Sequence, residues 1–214
     1  MKTAIVFIHG WGFNGSIWRE ITAHLPEFET SSIEFGFVGE AANGPLTISD
    51  NTIPDNAIIV AHSLGVLWAL QHLPKQPEGF ISICGFDRFS PPVPRGDLLI
   101  MKHGLKKNPM AQMSHFWRSC GIAPIAKAEQ LNQSALIEGL DGLMNWDGRE
   151  GHENLTCPVH ILAALDDEIV SKRMSCDIWG EEKIIWSPSG GHALPLTRPK
   201  WCADQIKQFV EYDE

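Results

Sequence analysis

The sequence predicts an α/β protein with a mostly parallel sheet, helices on both faces and one helical insertion. The main observation is that short apolar runs alternate with longer stretches of helical spacing along most of the 214 residues. Strands joined by crossover helices produce this pattern. The alternation stops after Cys84 and resumes at Val159, as expected when a helical segment is inserted once. The length fits a single domain.

Each predicted strand is a short apolar run bounded by turn-forming residues. Such runs are typical of strands that are buried on both faces. The predicted strands lie at 4–8, around 31–37, and at 57–61, 80–84, 159–164 and 183–186. Four further stretches have helical spacing, at 17–25, 66–73, 171–180 and 199–211. The first two end before Pro26 and Pro74, because proline cannot continue a helix.

Residues 86–150 are predicted to form a helical lid between the two parts of one core, 1–85 and 151–214. The segment begins with many Pro, Arg and Asp residues and then shows no strand-like run. From 91 to 127 it contains one acid, Asp97, and six basic residues: Arg95, Lys102, Lys106, Lys107, Arg118 and Lys127. Its apolar residues either line a tunnel or dock the lid on the core.

Charge and cysteine content argue against several classes of function. A net charge of −9 does not suit a nucleic-acid partner, which requires a surplus of Lys and Arg. The cysteines number five and form no C-x-x-C pair, so neither a disulfide framework nor a zinc site is expected. We predict no metal and no cofactor. Without a signal-peptide pattern or a long apolar run, we expect a cytoplasmic monomer with no membrane partner.

Ser63 is the predicted nucleophile. The strand at 57–61 leads directly into Ala61-His62-Ser63-Leu64-Gly65 and then a helix. This is the G-x-S-x-G nucleophile elbow with Ala in place of the first Gly. A sharp turn there lifts the hydroxyl clear of the sheet, and small residues two positions before and after the serine avoid clashes. The amide of Leu64 is predicted to stabilise a developing oxyanion.

A second oxyanion donor is predicted in the loop that follows the first strand. That loop reads His9-Gly10-Trp11-Gly12, and its glycines allow the backbone to turn tightly. Hydrolases with a nucleophile elbow take one donor from such a loop and the other from the residue after the serine. The amides of Trp11 and Leu64 are therefore the expected pair.

Asp167 and His192 are the predicted partners of the serine. A carboxylate directly after the strand at 159–164 lies at the edge of the sheet where ligands bind. We favour Asp167, and Asp166 stays open as the alternative. His192 follows two glycines after the last strand. The chain order Ser, Asp, His is that of the α/β-hydrolase fold, which becomes the predicted fold. The other histidines, His62 included, lack metal-ligand spacing and are assigned no role.

Three motifs carry a resemblance to a known family. They are 8–14 (IHGWGFN) with Trp18, 167–170 (DEIV) and the Gly-His-Ala at 191–193. With these motifs the chain resembles the pimeloyl-[acyl-carrier protein] methyl ester esterases of biotin synthesis, over residues 3–85 and 155–212. Ala61-His62 stands where that family pattern has Gly-Trp.

The resemblance implies an α/β sheet with a helical cap. It also implies hydrolysis of a methyl ester on a pimeloyl chain that a small acidic carrier protein holds. Ser63, Asp167 and His192 would form the triad, and the amides of Trp11 and Leu64 the oxyanion hole.

The basic segment suits an acidic partner at the mouth of the site. The candidate docking residues are Lys102, Lys106, Lys107 and Arg118; the alternative is an ordinary solvated basic face. Two other functions stay open. One is a general short-chain carboxylesterase or thioesterase. The other is a hydrolase-fold binding protein without turnover, against which the complete Ser, Asp and His set argues.

Overall fold

The computed structural model describes residues 3–39 and 53–212, without the side chain of Tyr212. Within these residues the strands form one parallel sheet in the order β2-β1-β3-β4-β5-β6. The strands are β1 Ala4–Ile8, β2 Glu29–Ile33, β3 Ala57–His62, β4 Gly79–Ile83, β5 Val159–Ala164 and β6 Ile184–Ser187. The α/β-hydrolase fold predicted from the sequence is confirmed.

Helices connect the strands and cover the sheet. They are α1 Arg19–Ala23, α2 Leu64–His72, α3 Arg95–Lys107, α4 Pro109–Ser119, α5 Gln133–Asn145, α6 Arg149–Glu153, α7 Lys172–Trp179, α8 Leu194–Thr197 and α9 Pro199–Tyr212. α1 packs on α9, and α2 packs on α6. Every residue of β1, β3 and β4 is buried. Because successive side chains of a strand point to opposite faces, both faces of the sheet must be covered.

The second strand differs from the prediction. It was expected around 31–37 but ends at Ile33. Beyond it, the amide of Phe35 donates to Nε2 of His9 (3.1 Å). The rings of Phe35 and Phe37 are buried, and each forms an edge-to-face contact with the His9 ring. The chain therefore leaves the sheet because these aromatic side chains pack around the loop after β1.

The segment between β4 and β5 is helical, with α3 packed against both α4 and α5. α6 spans residue 150, where the sequence placed the end of the lid, and its contacts are with α2 of the core. Just before it, the amide of Gly148 donates to the carbonyl of Asp87 (2.7 Å). The helical insertion is thus present, while its role as a lid stays a prediction.

None of the helices in the described part combines the length and the apolar character that a membrane span requires.

Gly65 in α2 gives a test of how closely the elbow packs on β1. A Cβ at this position would lie 2.5 Å from the carbonyl oxygen of Ile8 and 2.7 Å from that of His9. Gly65→Ala should therefore lower the free energy of unfolding by about 1–3 kcal/mol, as measured by urea denaturation. At Gly96 in α3 a Cβ meets nothing, so Gly96→Ala should be neutral or stabilising by about 0.5–1 kcal/mol. Equal stability of the two variants would contradict the packing.

Candidate active site

Ser63 lies at the sharp turn between β3 and α2. Its φ is 53° and its ψ is −122°, a conformation that side-chain-bearing residues rarely adopt. The amide of Ser63 donates to the carbonyl of Ile83 (3.1 Å) and its carbonyl accepts from the amide of Val66 (2.9 Å). These bonds tie the strained turn to β4 and to the first turn of α2. Strain of this kind is concentrated at functional sites.

The structure brings Ser63, His192 and Asp167 together at the carboxyl edge of the sheet. The hydroxyl of Ser63 lies 2.9 Å from Nε2 of His192. Nδ1 of the same imidazole lies 2.9 Å from Oδ2 of Asp167. The three residues follow β3, β6 and β5, and all three are buried. This is the arrangement in which an imidazole can accept the serine proton while a carboxylate stabilises the resulting charge.

The other carboxylate oxygen of Asp167 is held by the backbone. It accepts hydrogen bonds from the amides of Ile169 (2.8 Å) and Val170 (2.9 Å). Burial by itself would raise the pKa of this carboxyl. The His192 imidazole and the two amides outweigh burial, so the pKa is lowered from its ordinary value. The carboxylate is therefore present as the charged form that supports a cationic imidazole.

Asp166, the alternative acid, has a different position. Its carboxylate accepts from the amides of Gly190 (3.1 Å) and Gly191 (2.8 Å). It therefore holds the glycine loop that precedes His192, while Asp167 faces the imidazole itself. The two adjacent acids therefore bind different groups: Asp166 binds the loop backbone, and Asp167 binds the imidazole ring.

The loop after β1 lies directly against the elbow. A Cβ at Gly10 would stand 2.9 Å from Cβ of Ser63, so only glycine permits this approach. Leu64 is the first residue of α2, and an amide at that position has no acceptor within its own helix. Trp11 lines the same cavity as Ser63. Both predicted oxyanion donors therefore belong to segments that meet at Ser63.

Two tryptophans fix this loop to the inserted helices. Nε1 of Trp11 donates to the carbonyl of Leu136 in α5 (2.8 Å). Nε1 of Trp117 in α4 donates to the carbonyl of Gly12 (2.9 Å). The insertion is thus hydrogen-bonded to the loop that carries Trp11, one of the two predicted oxyanion donors.

His62 has a role that sequence analysis did not find. Its side chain is fully buried, and Nε2 donates to the carbonyl of His192 (2.8 Å). Burial, and then the proximity of the His192 ring, lowers the pKa of His62 to about 3. A neutral His62 therefore holds the backbone of His192 without placing a second charge beside its ring. No local motif signals this contact, because the elbow pattern leaves the position unspecified.

Among the described residues, one buried cluster has side chains of the types that bind metals. The thiol of Cys84, the carboxylate of Asp167 and the imidazole of His192 have ligand atoms within 4.8 Å of one another. Burial raises the pKa of the Cys84 thiol well above its usual range, whereas a metal requires the thiolate. The other two groups are already hydrogen-bonded to each other. We assign the cluster to the serine site.

A largely apolar cavity of about 370 Å³ opens at Ser63 and His192. Its apolar walls are formed by Trp11, Phe86, Phe89, Val93, Leu98, Met101, Phe116, Leu143 and Ile169. The insertion supplies most of them. Other apolar residues of the insertion, Leu105 and Trp117, are buried in the core, and Leu99 and Ile100 are exposed. Apolar residues of the insertion therefore divide into those that line this cavity, those that pack in the core and those that are exposed.

The four candidate docking residues differ in their surroundings. Lys102 is ion-paired with Asp141 of α5 (2.6 Å), which attaches α3 to α5. Lys106, Lys107 and Arg118 are exposed. Within residues 3–39 and 53–212 none of these three forms an ion pair, so their charges are available.

Comparison of sequences finds one family and a set of named relatives. The pattern of the alpha/beta hydrolase family matches residues 5–205. A relative from Pectobacterium atrosepticum, named pimeloyl-[acyl-carrier protein] methyl ester esterase, is 22% identical over 98% of this chain and 95% of its own length. A second protein of that name, from Pectobacterium carotovorum, is 24% identical with the same coverage.

Solved structures share the architecture. The esterase from Exiguobacterium antarcticum superposes with a TM-score of 0.77 at 15% identity, over 98% of this chain and 92% of its own. The bromoperoxidase from Bacillus anthracis also has a TM-score of 0.77, at 16% identity, over 99% and 92%. At such identities the likeness concerns the fold alone. The different names of the two enzymes illustrate that one fold hosts several activities.

His62 gives a test of how the imidazole is positioned. His62→Leu removes the donor to the carbonyl of His192, whereas the amide nitrogen of Gln reaches about as far as Nε2. We expect His62→Leu to lower kcat for p-nitrophenyl butyrate by about 10- to 100-fold, because small misplacements of a reacting group have effects of this size. KM should change little, and His62→Gln should restore most of kcat.

Thermal unfolding of both variants controls for loss of fold. Wild-type kcat in a folded His62→Leu protein would contradict the positioning role.

Proposed function

The chain belongs to the alpha/beta hydrolase family, and from this premise we propose that it is a serine carboxylesterase. Its proposed substrate is the methyl ester of a pimeloyl chain carried on an acyl-carrier protein. The observation that carries the proposal is the continuous series of hydrogen bonds from Ser63 through His192 to Asp167. That series begins inside an apolar cavity.

The proposed reaction follows from the positions of these groups. His192 accepts the proton of Ser63 as Oγ attacks the ester carbonyl, and Asp167 stabilises the imidazolium. The amides of Trp11 and Leu64 donate to the oxyanion. When the tetrahedral intermediate collapses, methanol leaves with the proton from His192. A water molecule, deprotonated by the same imidazole, then attacks the acyl-enzyme and releases the carboxylic acid and Ser63.

The substrate class rests on two kinds of support. The relatives named for this activity align with nearly the whole chain. The cavity beside Ser63 is lined mainly by apolar side chains and, at about 370 Å³, lies near the lower end of the usual ligand-pocket range of about 300–1,000 Å³. A short, flexible acyl chain suits such walls.

The carrier protein is proposed from charge. Lys106 and Lys107 end α3, and Arg118 lies in the last turn of α4. All three are exposed, and they belong to residues 91–127, which hold six basic residues and one acid in a chain of net charge −9. An acidic partner would be steered towards that region. The cytoplasm is the proposed compartment, supported by the buried thiols of Cys84 and Cys202, which form no disulfide, and a monomer is the proposed state.

A general short-chain carboxylesterase or thioesterase is the second candidate. The same cavity favours it, because nothing in the apolar walls requires a carrier. The comparison of a carrier-linked ester with a small free ester separates the two candidates.

The chemistry is tested by substitution of Ser63 and of Asp167. Ser63→Ala should abolish hydrolysis of the carrier-linked methyl ester, as followed by mass spectrometry of the 14-Da loss expected when a methyl ester becomes an acid. Asp167→Asn should lower kcat by about 10⁴-fold, because the imidazole loses its charged partner. Asp166→Asn is the matched control, and loss of one loop hydrogen bond should cost at most about tenfold. Equal effects at 166 and 167 would contradict the assignment.

Carrier docking is tested by reversing charge at the end of α3. Lys106→Glu with Lys107→Glu should lower kcat/KM for the carrier-linked ester at least about tenfold at low salt, since rim charges govern association. Activity on p-nitrophenyl butyrate should stay unchanged. The control, Lys183→Glu with Lys200→Glu, makes the same charge change elsewhere. An unaltered rate on the carrier-linked ester would favour the general esterase.

A further inference from the structure

The charged residues that line the cavity point to a selection rule for its substrates. We propose that Asp97 and Glu168 make the cavity reject acyl chains that end in a free carboxylate and accept chains whose far end is uncharged. This inference rests on the proposed function, because it concerns esters that enter the same cavity.

The cavity lining contains two carboxylates and no Lys or Arg. Asp97 lies in the first turn of α3, and Glu168 lies in the loop after β5. Both are exposed, so they stand where the cavity meets solvent. Two separate elements thus place like charges around one opening.

The ion pairs of the described residues show whether these two carboxylates are paired with a cation. In the described part of the chain, Asp97 and Glu168 take part in no ion pair. The basic residues of α3 nearest to Asp97 are engaged elsewhere. Arg95 donates to the carbonyl of Met144 (2.9 Å), and Lys102 pairs with Asp141. Asp97 and Glu168 therefore face the cavity mouth without an ion-pair partner among the described residues.

Asp97 and the lysine pair Lys106 and Lys107 lie at opposite ends of α3. Asp97 and Lys107 are about 15 Å apart along the helix axis, at 1.5 Å per residue. A carrier protein attracted to Lys106 and Lys107 would bind at the far end of the helix, away from the two acids. The same helix can therefore attract an acidic protein while excluding a small anionic ester.

The size of the effect follows from Coulomb's law. Two carboxylates at about 8 Å in a water-like dielectric disfavour an anionic chain by about fivefold, and more where the walls exclude water. A free dicarboxylic monoester has such an anionic end. A diester, or a chain whose second carboxyl is bound as a thioester, does not.

The test compares monomethyl pimelate with dimethyl pimelate at pH 8, where imidazole side chains are mostly uncharged. The readout is the ratio of kcat/KM for the diester to that for the monoester. Two equivalent ester groups alone give a ratio of about two, so the Coulomb effect predicts about ten or more for the wild type. Asp97→Asn with Glu168→Gln should bring the ratio close to two. In 0.5 M salt the wild-type ratio should also fall.

Glu20→Gln with Glu129→Gln is the matched control. It removes two exposed acids outside the cavity and should keep the wild-type ratio. A wild-type ratio near two, or a ratio that the Asp97 and Glu168 substitutions leave unchanged, would overturn the inference while the esterase proposal stands.

If neither free ester is hydrolysed, the proposed function is decided separately by the carrier-linked ester. The selection rule is then decided by labelling rates of Ser63 with two alkyl fluorophosphonates, one neutral and one ending in a carboxylate. Faster labelling by the neutral probe, with the difference lost in the Asp97 and Glu168 variant, would support it. Equal labelling rates for the two probes, or no labelling of Ser63, would overturn it.

Discussion

The buried hydrogen bond between His192 and Asp167 is the interaction around which the rest of the site is arranged. A charged carboxylate in the interior is costly unless its lone pairs are satisfied. The amides of Ile169 and Val170 bond one oxygen, and the imidazole bonds the other. The backbone of His192 is held in turn by the ring of His62. Each of these contacts limits the rotation of a group whose position determines whether Ser63 can lose its proton.

The inserted helices contribute to this arrangement as well as to the cavity. Trp117 of α4 bonds to the loop that carries one expected oxyanion donor. Directly after α4, the carbonyl of Cys120 accepts from the amide of Ala193 (3.2 Å). One helix therefore contacts the loops on both sides of the serine. A shift of α4 would disturb the candidate machinery together with the cavity wall, so shape and chemistry are coupled in this insertion.

The charged residues of the inserted segment make different contacts. Its basic residues are neighbours in the sequence, but they have different surroundings in the structure. Lys102 pairs with Asp141 and stabilises the packing of α3 on α5. Lys106 and Lys107 remain exposed. Asp97, the single acid of residues 91–127, lies at the cavity instead. Net charge alone describes how the protein attracts a partner from a distance; only position tells which charge meets the substrate.

The sequence by itself determined the sheet, the strained turn at Ser63 and the order of Ser63, Asp167 and His192. These features are encoded by local patterns of apolar, glycine and turn residues that act on the nearby backbone. The contact of Asp167, rather than Asp166, with the His192 ring, the early end of β2 and the contact of His62 with His192 were decided by tertiary structure. The last contact joins residues 130 positions apart. Which side chains meet across such separations depends on how the elements pack, and no short motif records that packing.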